Sequence, residues 1–331
     1  MKKSKQGVYR YSMLLRSLAG ILLPVLLGSS QITFANNTTN ASKSHIIHLV
    51  YSSDSMLQSN IAKNISTHLT NKKPGSHITH LSPLQLNTVS QIKPDFVIAI
   101  GTENIRYTVN NFSKTNALLI ASSPGEYNEA QQTKSKNAVL YMSQPYCKQI
   151  HLIKEINRQW RTVSYLSSKE KPVDSEAIAQ CAERYDMDSY EVSTTDDGST
   201  PSDIKKALSN SDLILALPDK TIYNGNSVKN ILLTSYRSRK PVIGFSKNFV
   251  TAGALAAIYS NADQIAHSAI RLIDQYYSQK KYFDQKINYP QSFDISINRQ
   301  VFRALNLKIP DTERLKRNLH DGKFIRSGAH Q

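Results

Sequence analysis

The stretch PVIGFSKNFVTAGALAAIYS, residues 241–260, decides the fold class of this chain. The run VIGF (242–245) is short and apolar, as expected of a buried parallel strand, and ALAAIY (254–259) is a second such run. The polar and small residues between the two runs predict a loop. Asn261 and Gln264 have the spacing of a capping box, so a helix follows the second strand. In open α/β sheets, loops of this kind at the carboxyl ends of strands form the ligand sites.

The same alternation of apolar strands and amphipathic helices extends in both directions from this stretch. Upstream, apolar runs such as 95–100 and 213–217 alternate with helical patterns, which predicts βαβ units and parallel sheets. The alternation forms two successive sets that meet near residues 142–145. Downstream, residues 261–278 predict an amphipathic helix, and residues 293–297 predict a further strand. The sequence therefore predicts an α/β protein with two Rossmann-like lobes.

Residues 1–35 have the pattern of a secretory signal peptide. A basic front precedes a short apolar run at 18–28, and Ala35 is a small residue suited to cleavage. The apolar run is too short to span a bilayer. We therefore predict a periplasmic protein whose leader is removed; an uncleaved N-terminal anchor is the alternative.

The chain is basic. Its 331 residues have a formal net charge of +16, and residues 1–35 contribute five Lys or Arg and no Asp or Glu, which leaves +11 for the remainder. The positive residues are scattered, and no Arg-rich or aromatic-interleaved motif of a nucleic-acid binder occurs. We expect a solvated basic surface and no nucleic-acid partner.

No catalytic or metal-binding constellation is recognisable in the sequence. The chain lacks a G-x-S-x-G elbow, a phosphate loop of the G-x-x-x-x-G-K type and an H-E-x-x-H motif. The pairs His45/His48 and His77/His80 are three apart on predicted strands, so their side chains point to opposite faces. We expect no enzyme activity, no metal and no cofactor.

The two cysteines, Cys147 and Cys181, fall in different predicted helices of the second lobe. An exported protein occupies an oxidising compartment, where the pair could form a disulfide. A two-lobed protein of this size needs no covalent staple. We therefore expect free thiols, with a disulfide as the alternative.

Polar residues at the predicted strand ends are the remaining candidates for function. If the lobes face each other, these residues line one cleft, where hydroxyl and amide groups bind a polar solute. Helix N-termini after Thr102 and Ser122 offer N–H groups to a carboxylate, and Asp54 or Asp219 could bind an ammonium. Taken singly, each residue could equally be a helix cap or a turn residue. The candidate ligand-binding residues are Ser52, Ser53, Asp54, Thr102, Glu103, Ser122, Ser123, Asp219, Ser246, Asn248 and Tyr259.

Several segments resemble the substrate-binding components of ABC transporters, in the branch of the tryptophan/tyrosine binders. Besides 241–260, they are PDFVIAIGTENIRYTV (94–109), LALPDKTIYN (215–224), YSNADQIAHSA (259–269) and YPQSFDISINRQVFRALNLKIPD (289–311). The resemblance implies a type I periplasmic-binding-protein fold, in which three strands join the lobes as a hinge. Among the candidates, it favours Asp219 as the residue that contacts the ligand.

The resemblance also implies how the chain is divided. Three crossings between the lobes are expected, near 142–145, 259–261 and 282–289. The predicted division is a signal peptide at 1–35, an N-terminal lobe at 36–143 plus 261–282, a C-terminal lobe at 144–260 plus 289–312, and a loosely held basic tail at 313–331.

The function implied by the resemblance is that of a periplasmic solute-binding protein. Such a protein, expected to be a monomer, captures a small polar, amino-acid-like ligand between its lobes and delivers it to an ABC permease. Two alternatives stay open: a ligand-sensing receptor module that partners a membrane sensor, and a secreted two-lobed enzyme.

Overall fold

Two six-stranded sheets, each flanked by helices, organise the described part of the chain. The computed structural model describes residues 45–72, 75–82, 93–124, 137–169, 173–194, 200–279 and 282–321, which all fall within one unit. In chain order, the first elements are β1 (Ile46–Val50), α1 (Met56–Lys72), β2 (His77–Leu81), β3 (Phe96–Ile100), α2 (Thr102–Asn111), β4 (Ala117–Ala121), β5 (Ala138–Tyr141), α3 (Tyr146–Ile156), β6 (Thr162–Ser167), α4 (Ser175–Arg184) and β7 (Asp188–Ser193). The later elements are α5 (Pro201–Ser209), β8 (Leu213–Leu215), α6 (Ser227–Arg237), β9 (Val242–Gly244), α7 (Lys247–Ala252), β10 (Ala256–Tyr259), α8 (Ala262–Ser278), β11 (Ile287–Asn288), β12 (Asp294–Ile297), α9 (Arg299–Ala304) and α10 (Thr312–Asp321).

The first lobe is built on a parallel sheet with the strand order β11-β5-β4-β3-β1-β2. Its strand β3, FVIAI, is buried over its whole length, because helices cover both faces of the sheet. On one face Ile65 of α1 and Ile265 of α8 belong to the same core cluster, and on the other face Ile105 of α2 packs. The helix after the second crossing, α8, therefore packs on the first lobe. The capping box of Asn261 and Gln264 is also confirmed.

The second lobe has the strand order β12-β10-β9-β8-β6-β7, in which only β12 runs antiparallel to its neighbour. Ile150 of α3 and Ile178 of α4 belong to the core on one face of this sheet. Ile204 of α5 and Ile231 of α6 belong to the core on the other face. The predicted architecture of two α/β lobes with mostly parallel sheets is confirmed.

The chain passes between the lobes at residues 142–145, 260–261 and 289–293. The third crossing follows β11, which pairs with β5 of the first sheet, and it precedes β12 of the second sheet. Residues 282–288 thus accompany the first lobe, with Phe283 in its core.

The side chain of Gln144 connects all three crossings. It lies in the first crossing and is 1% exposed. Its Nε2 donates to Ser260 Oγ at 2.8 Å in the second crossing and to the Pro290 carbonyl at 3.2 Å in the third. Ser260 Oγ in turn donates to the Ser292 carbonyl at 2.8 Å. These bonds, of which the one to Pro290 is buried, tie the three strands of the hinge to one another.

A disulfide joins Cys147 and Cys181, so the expectation of free thiols is wrong. The two Cα atoms lie 4.7 Å apart, because α3 packs against α4 with Cys147 in its first turn. The argument from protein size did not consider this packing, which sequence spacing does not reveal. The bond fixes the start of α3, which follows directly on the first crossing.

Residues 247–253, expected to form a loop, are mostly helical. Ser246 accepts a hydrogen bond from the Phe249 N–H and caps α7, and Phe249 and Val250 are buried beneath it. One good cap and two buried side chains are enough for a helix of this length. Small and polar residues predominate in this stretch, so the sequence does not reveal the cap and the two buried positions.

The basic C-terminal stretch also begins as a packed helix, in contrast to the loose tail expected. Leu315 and Leu319 of α10 are buried in the core of the second lobe. Burying each of these side chains contributes about 1.5–3 kcal/mol. Residues 322–331 lie outside the described residues, as do residues 1–35 with the predicted signal peptide.

We predict that Gln144→Ala loosens the hinge. The change leaves the buried Pro290 carbonyl without its donor, which costs about 1–3 kcal/mol of unfolding free energy, measurable by chemical denaturation. Small-angle X-ray scattering should show a broader range of interlobe distances. The matched control is Gln300→Ala, since Gln300 is exposed on α9. If Gln144→Ala matches this control in both measurements, Gln144 does not hold the crossings together.

Candidate functional site

A small cavity lies where the two lobes meet, beside the first crossing; we call it the interlobe cavity. Its volume is about 20 Å³, enough for roughly one water molecule. Ser123, which follows β4, lines it from the first lobe, and Ser143 lines it from the first crossing. The second lobe contributes Tyr146, Gln149, Leu166, Val173, Leu217, Pro218 and Asp219.

Asp219 is the charged group of this cavity and is 7% exposed. Its Oδ2 accepts a hydrogen bond from Ser168 Oγ at 2.6 Å, and its Oδ1 accepts one from the Thr221 N–H at 2.8 Å. The second contact is that of an Asx turn, so Asp219 also shapes its own loop. It does not cap α6, which begins after Asn226. A carboxylate has about four acceptor positions, so Asp219 retains acceptor capacity for a solute.

Two further oxygens at the cavity are buried without a hydrogen-bond partner among the described residues. They are Oε1 of Gln149, a residue 3% exposed, and Oγ of Ser143. Burying an unpaired polar atom is costly, so both atoms favour a solute that brings hydrogen-bond donors. The other end of the Gln149 amide, Nε2, donates to the Gln144 carbonyl at 2.8 Å. The cavity therefore contacts the first crossing directly at Ser143 and is hydrogen-bonded to it through Gln149.

The Tyr146 hydroxyl is a donor at this site. Burial raises the pKa of Tyr146, and nearby Tyr289 and Asp174 raise it further, so the hydroxyl stays protonated at neutral pH. Among the described residues that line the cavity, none is Lys or Arg. The arrangement therefore suits a group that donates several hydrogen bonds, such as an ammonium, beside hydroxyls that can bind an acceptor.

The structure brings together two of the predicted site residues, Ser123 and Asp219, one from each lobe. Ser122 precedes Ser123, and its carbonyl accepts from the Ser143 N–H at 3.1 Å, which ties the end of β4 to the first crossing. These residues place the predicted strand ends next to the hinge.

The other first-lobe candidates lie at the ends of β1 and β3, outside the cavity lining. The Ser52 N–H donates to Gln58 Oε1 at 2.9 Å, and Ser53 and Asp54 are exposed. Thr102 begins α2, where exposed Glu103 forms a surface ion pair with Arg106 at 3.3 Å. Gly101 precedes this helix with a φ of 91°, a conformation that favours glycine.

The other second-lobe candidates also lie away from the cavity. Ser246 and exposed Asn248 line an open groove beside α6 and α7. Tyr259, at the end of β10, is half-buried, and it is paired in register with Asp294 on β12. Burial raises the pKa of Tyr259, and the Asp294 carboxylate raises it further.

Sequence reasoning missed Ser143, Tyr146 and Gln149. Gln149 carried a usable signal: a polar residue next to Ile150 and near Ile153, on the face of α3 that turns to the core. A buried amide in such a place needs partners. Ser143 and Tyr146 carried no comparable signal, because their place at the cavity depends on how the crossing turns.

Other kinds of site find little support in the part of the chain that the structure describes. Within it, no group of three or more His, Cys, Asp or Glu side chains is placed to hold a metal ion. Over the same ranges, no helix combines the length and the hydrophobicity needed to cross a bilayer.

Solved structures with the same fold include the following three. An ABC domain from Streptococcus pneumonia in complex with L-Trp has a TM-score of 0.60 and 17% identity, over 82% of this chain and 98% of that one. A ligand-free, open substrate-binding protein with adhesive properties from Clostridium difficile has a TM-score of 0.62 and 16% identity, over 81% and 97%. A periplasmic ribose ABC transporter from Conexibacter woesei has 0.51 and 11%, over 83% and 98%. At these identities the likeness concerns the fold alone.

The family of the chain follows from its sequence. No curated protein matches it. Residues 63–317, however, match the family described as ABC transporter substrate binding protein. This match covers most of both lobes and all three crossings. The chain therefore belongs to the ABC transporter substrate-binding protein family and has the two-lobed type I periplasmic binding fold.

Proposed function

We propose that this protein captures a small, polar, amino-acid-like solute at the interlobe cavity and delivers it to an ABC permease. The observation that carries the proposal is the buried Asp219 carboxylate, with acceptor capacity left over, beside the unpaired Gln149 Oε1. An ammonium group satisfies both atoms. A carboxylate or hydroxyl of the same solute would reach Ser123 and the protonated Tyr146 hydroxyl.

Capture of such a solute requires the lobes to move apart. The interlobe cavity, at about 20 Å³, is far below the roughly 300–1,000 Å³ of typical small-molecule pockets. Because the lobes have separate cores, one lobe can rotate relative to the other at the three crossings without disrupting either core. We infer that the solute enters an open form, and that closure onto it creates the surface a permease recognises.

The proposed role is tested by a solute screen. A ligand that binds only the folded protein stabilises it, by about 2.7 kcal/mol at 100 times its Kd. We expect at least one amino acid or related small amine to raise the melting temperature in a thermal-shift panel that also contains sugars and organic anions. A panel in which only sugars or anions shift the melt contradicts an amino-acid-like ligand, and a silent panel contradicts solute capture.

Asp219→Asn tests the site itself. The amide keeps the shape and the turn contact but loses the charge that would pair with an ammonium. Losing one partner of a buried charge pair costs roughly 2–5 kcal/mol of binding, that is, about thirtyfold or more in affinity. We expect calorimetry with the solute from the screen to show this loss, with a melting temperature of the free protein near that of the wild type.

The matched control for this variant is Asp188→Asn, an exposed aspartate at the start of β7 in the same lobe. It should bind like the wild type. Equal affinities for Asp219→Asn and Asp188→Asn would remove Asp219 from the site.

We also infer that the protein is periplasmic. The leader-like residues 1–35 and the Cys147–Cys181 disulfide support this, since disulfides persist in oxidising compartments. Expressed from its full-length gene in a Gram-negative host, the protein should appear in the periplasmic fraction with Asn36 at its N-terminus and no titratable thiol. Intact-mass analysis that finds Met1 on membrane-bound protein contradicts cleavage and supports an anchor.

A further inference from the structure

A second concave surface lies on the second lobe, between α6 and α7; we call it the α6–α7 groove. It has a volume of about 730 Å³ and is open along its length. Leu232 and Phe249 are buried in its floor, and Val301 of α9 borders it. None of the described residues that line it also lines the interlobe cavity, so it is a separate site.

One wall of the groove exposes large apolar side chains to water. Leu233 is 42% exposed and Tyr236 is 56% exposed, and both line the groove. They are three residues apart on α6, so they lie on one side of this helix. Together with the apolar floor they form a contiguous apolar surface, and such surfaces mark interaction sites.

A buried hydroxyl lies beside the groove. Tyr223 is 8% exposed and lines the groove, and its hydroxyl lies by the Leu217 backbone and the Asp219 carboxylate. Burial raises the pKa of Tyr223, and the Asp219 charge raises it further, so the hydroxyl stays protonated and able to donate.

Positively charged residues predominate in the segments that form the groove. Residues 220–262, which include α6 and α7, contain six Lys or Arg and no Asp or Glu. Residues 295–310, which include α9, contain three Lys or Arg and no Asp or Glu. Exposed Lys229 lines the groove itself. An occupant with carboxylates on its flanks is therefore attracted, and a basic one is repelled.

We propose that the α6–α7 groove docks an amphipathic helix of a partner protein, with an apolar stripe flanked by Asp and Glu. The apolar stripe would fill the floor between Leu232 and Phe249 and cover Leu233 and Tyr236, and its flanking carboxylates would face Lys229. Helices that place i, i+3, i+4 and i+7 side chains in a groove are a recurrent form of recognition. The eleven residues of α6 span about 16 Å, the length of a three-turn partner.

The concave shape argues against a membrane as the occupant. A bilayer surface is flat on this scale and reaches protruding side chains, whereas Leu232 and Phe249 lie at the bottom of the groove. A helix, by contrast, is convex and fits between α6 and α7.

The groove shares one structural element with the interlobe cavity. The loop 219–223 carries Asp219 at the cavity and Tyr223 at the groove, and the Tyr223 N–H donates to the Asp219 carbonyl at 2.8 Å. A docked helix would therefore touch the loop that shapes the cavity. Docking itself does not depend on which solute the cavity takes, so the two proposals can fail separately.

Fluorescence anisotropy with designed helical peptides tests the proposal. The probe is a labelled peptide of about four turns with a Leu stripe and Glu on both flanks; its matched control has Lys in place of Glu. We expect saturable binding of the Glu peptide, weakened by added salt because salt screens exposed charges. The Lys peptide should not bind.

Variants locate the binding on the protein. Tyr236→Ala and Lys229→Glu should each weaken binding of the Glu peptide by roughly tenfold. Leu57→Asp, which changes an exposed apolar residue of α1 in the first lobe, should leave it unchanged. Equal binding of the two peptides, or binding that Tyr236→Ala and Lys229→Glu do not alter, overturns the proposal. Flotation with phosphatidylglycerol vesicles that requires Tyr236, without peptide binding, would assign the surface to a membrane.

Discussion

The side chain of Gln144 is the contact on which the arrangement of this protein depends most. The chain crosses three times between two lobes that have separate cores, and the Gln144 amide bonds to the two crossings in which it does not lie. Its backbone carbonyl accepts from Gln149, which lines the interlobe cavity. A solute that engages Gln149 therefore acts one hydrogen bond away from the hinge. The crossings and the interlobe cavity thus share a single hydrogen-bond network.

The disulfide also constrains the helix that follows the first crossing. It holds the first turn of α3 against α4, and that turn carries Tyr146 and leads to Gln149. Side chains that begin a helix are exposed to fraying, since the first N–H groups lack partners within the helix. The covalent bond removes this freedom at the residues that line the cavity. The second lobe thus holds the start of α3, with Tyr146 at the interlobe cavity, by a covalent bond.

Much of the fold could be predicted from the sequence, because strands buried on both faces leave apolar runs such as FVIAI in β3. The capping box at Asn261 likewise predicted the start of α8. The elements that escaped prediction lack such signals: α7 depends on one cap at Ser246, and β11 has two residues whose pairing with β5 is a tertiary contact. The disulfide was not predicted for the same reason, because the sequence spacing of the two cysteines does not show that their helices pack together.

The site was predictable only in part. Asp219 and Ser123 follow recognisable strands, so their place at the meeting of the lobes follows from topology. Gln149 lies on a helix, and the turn of the first crossing decides what it faces. A buried atom without a partner, the Gln149 Oε1, becomes visible only when the surrounding atoms are in place. Sequence patterns identify the site residues at strand ends, but not those, such as Gln149, whose position depends on the first crossing.

The order of the strands constrains how this chain can assemble. The first sheet starts at β1, yet α8, which covers one face, and β11, which forms one edge, come more than a hundred residues after β5. The second sheet is complete only when β12 has been added, and its core is complete only when Leu319 of α10 is in place. Contacts so distant in sequence form slowly, and domains otherwise tend to fold as they are synthesised. Neither lobe can close its core before the final third of the chain has emerged. Both lobes are thus completed by α8 and the elements that follow it, and a C-terminal truncation before α8 would leave two incomplete lobes.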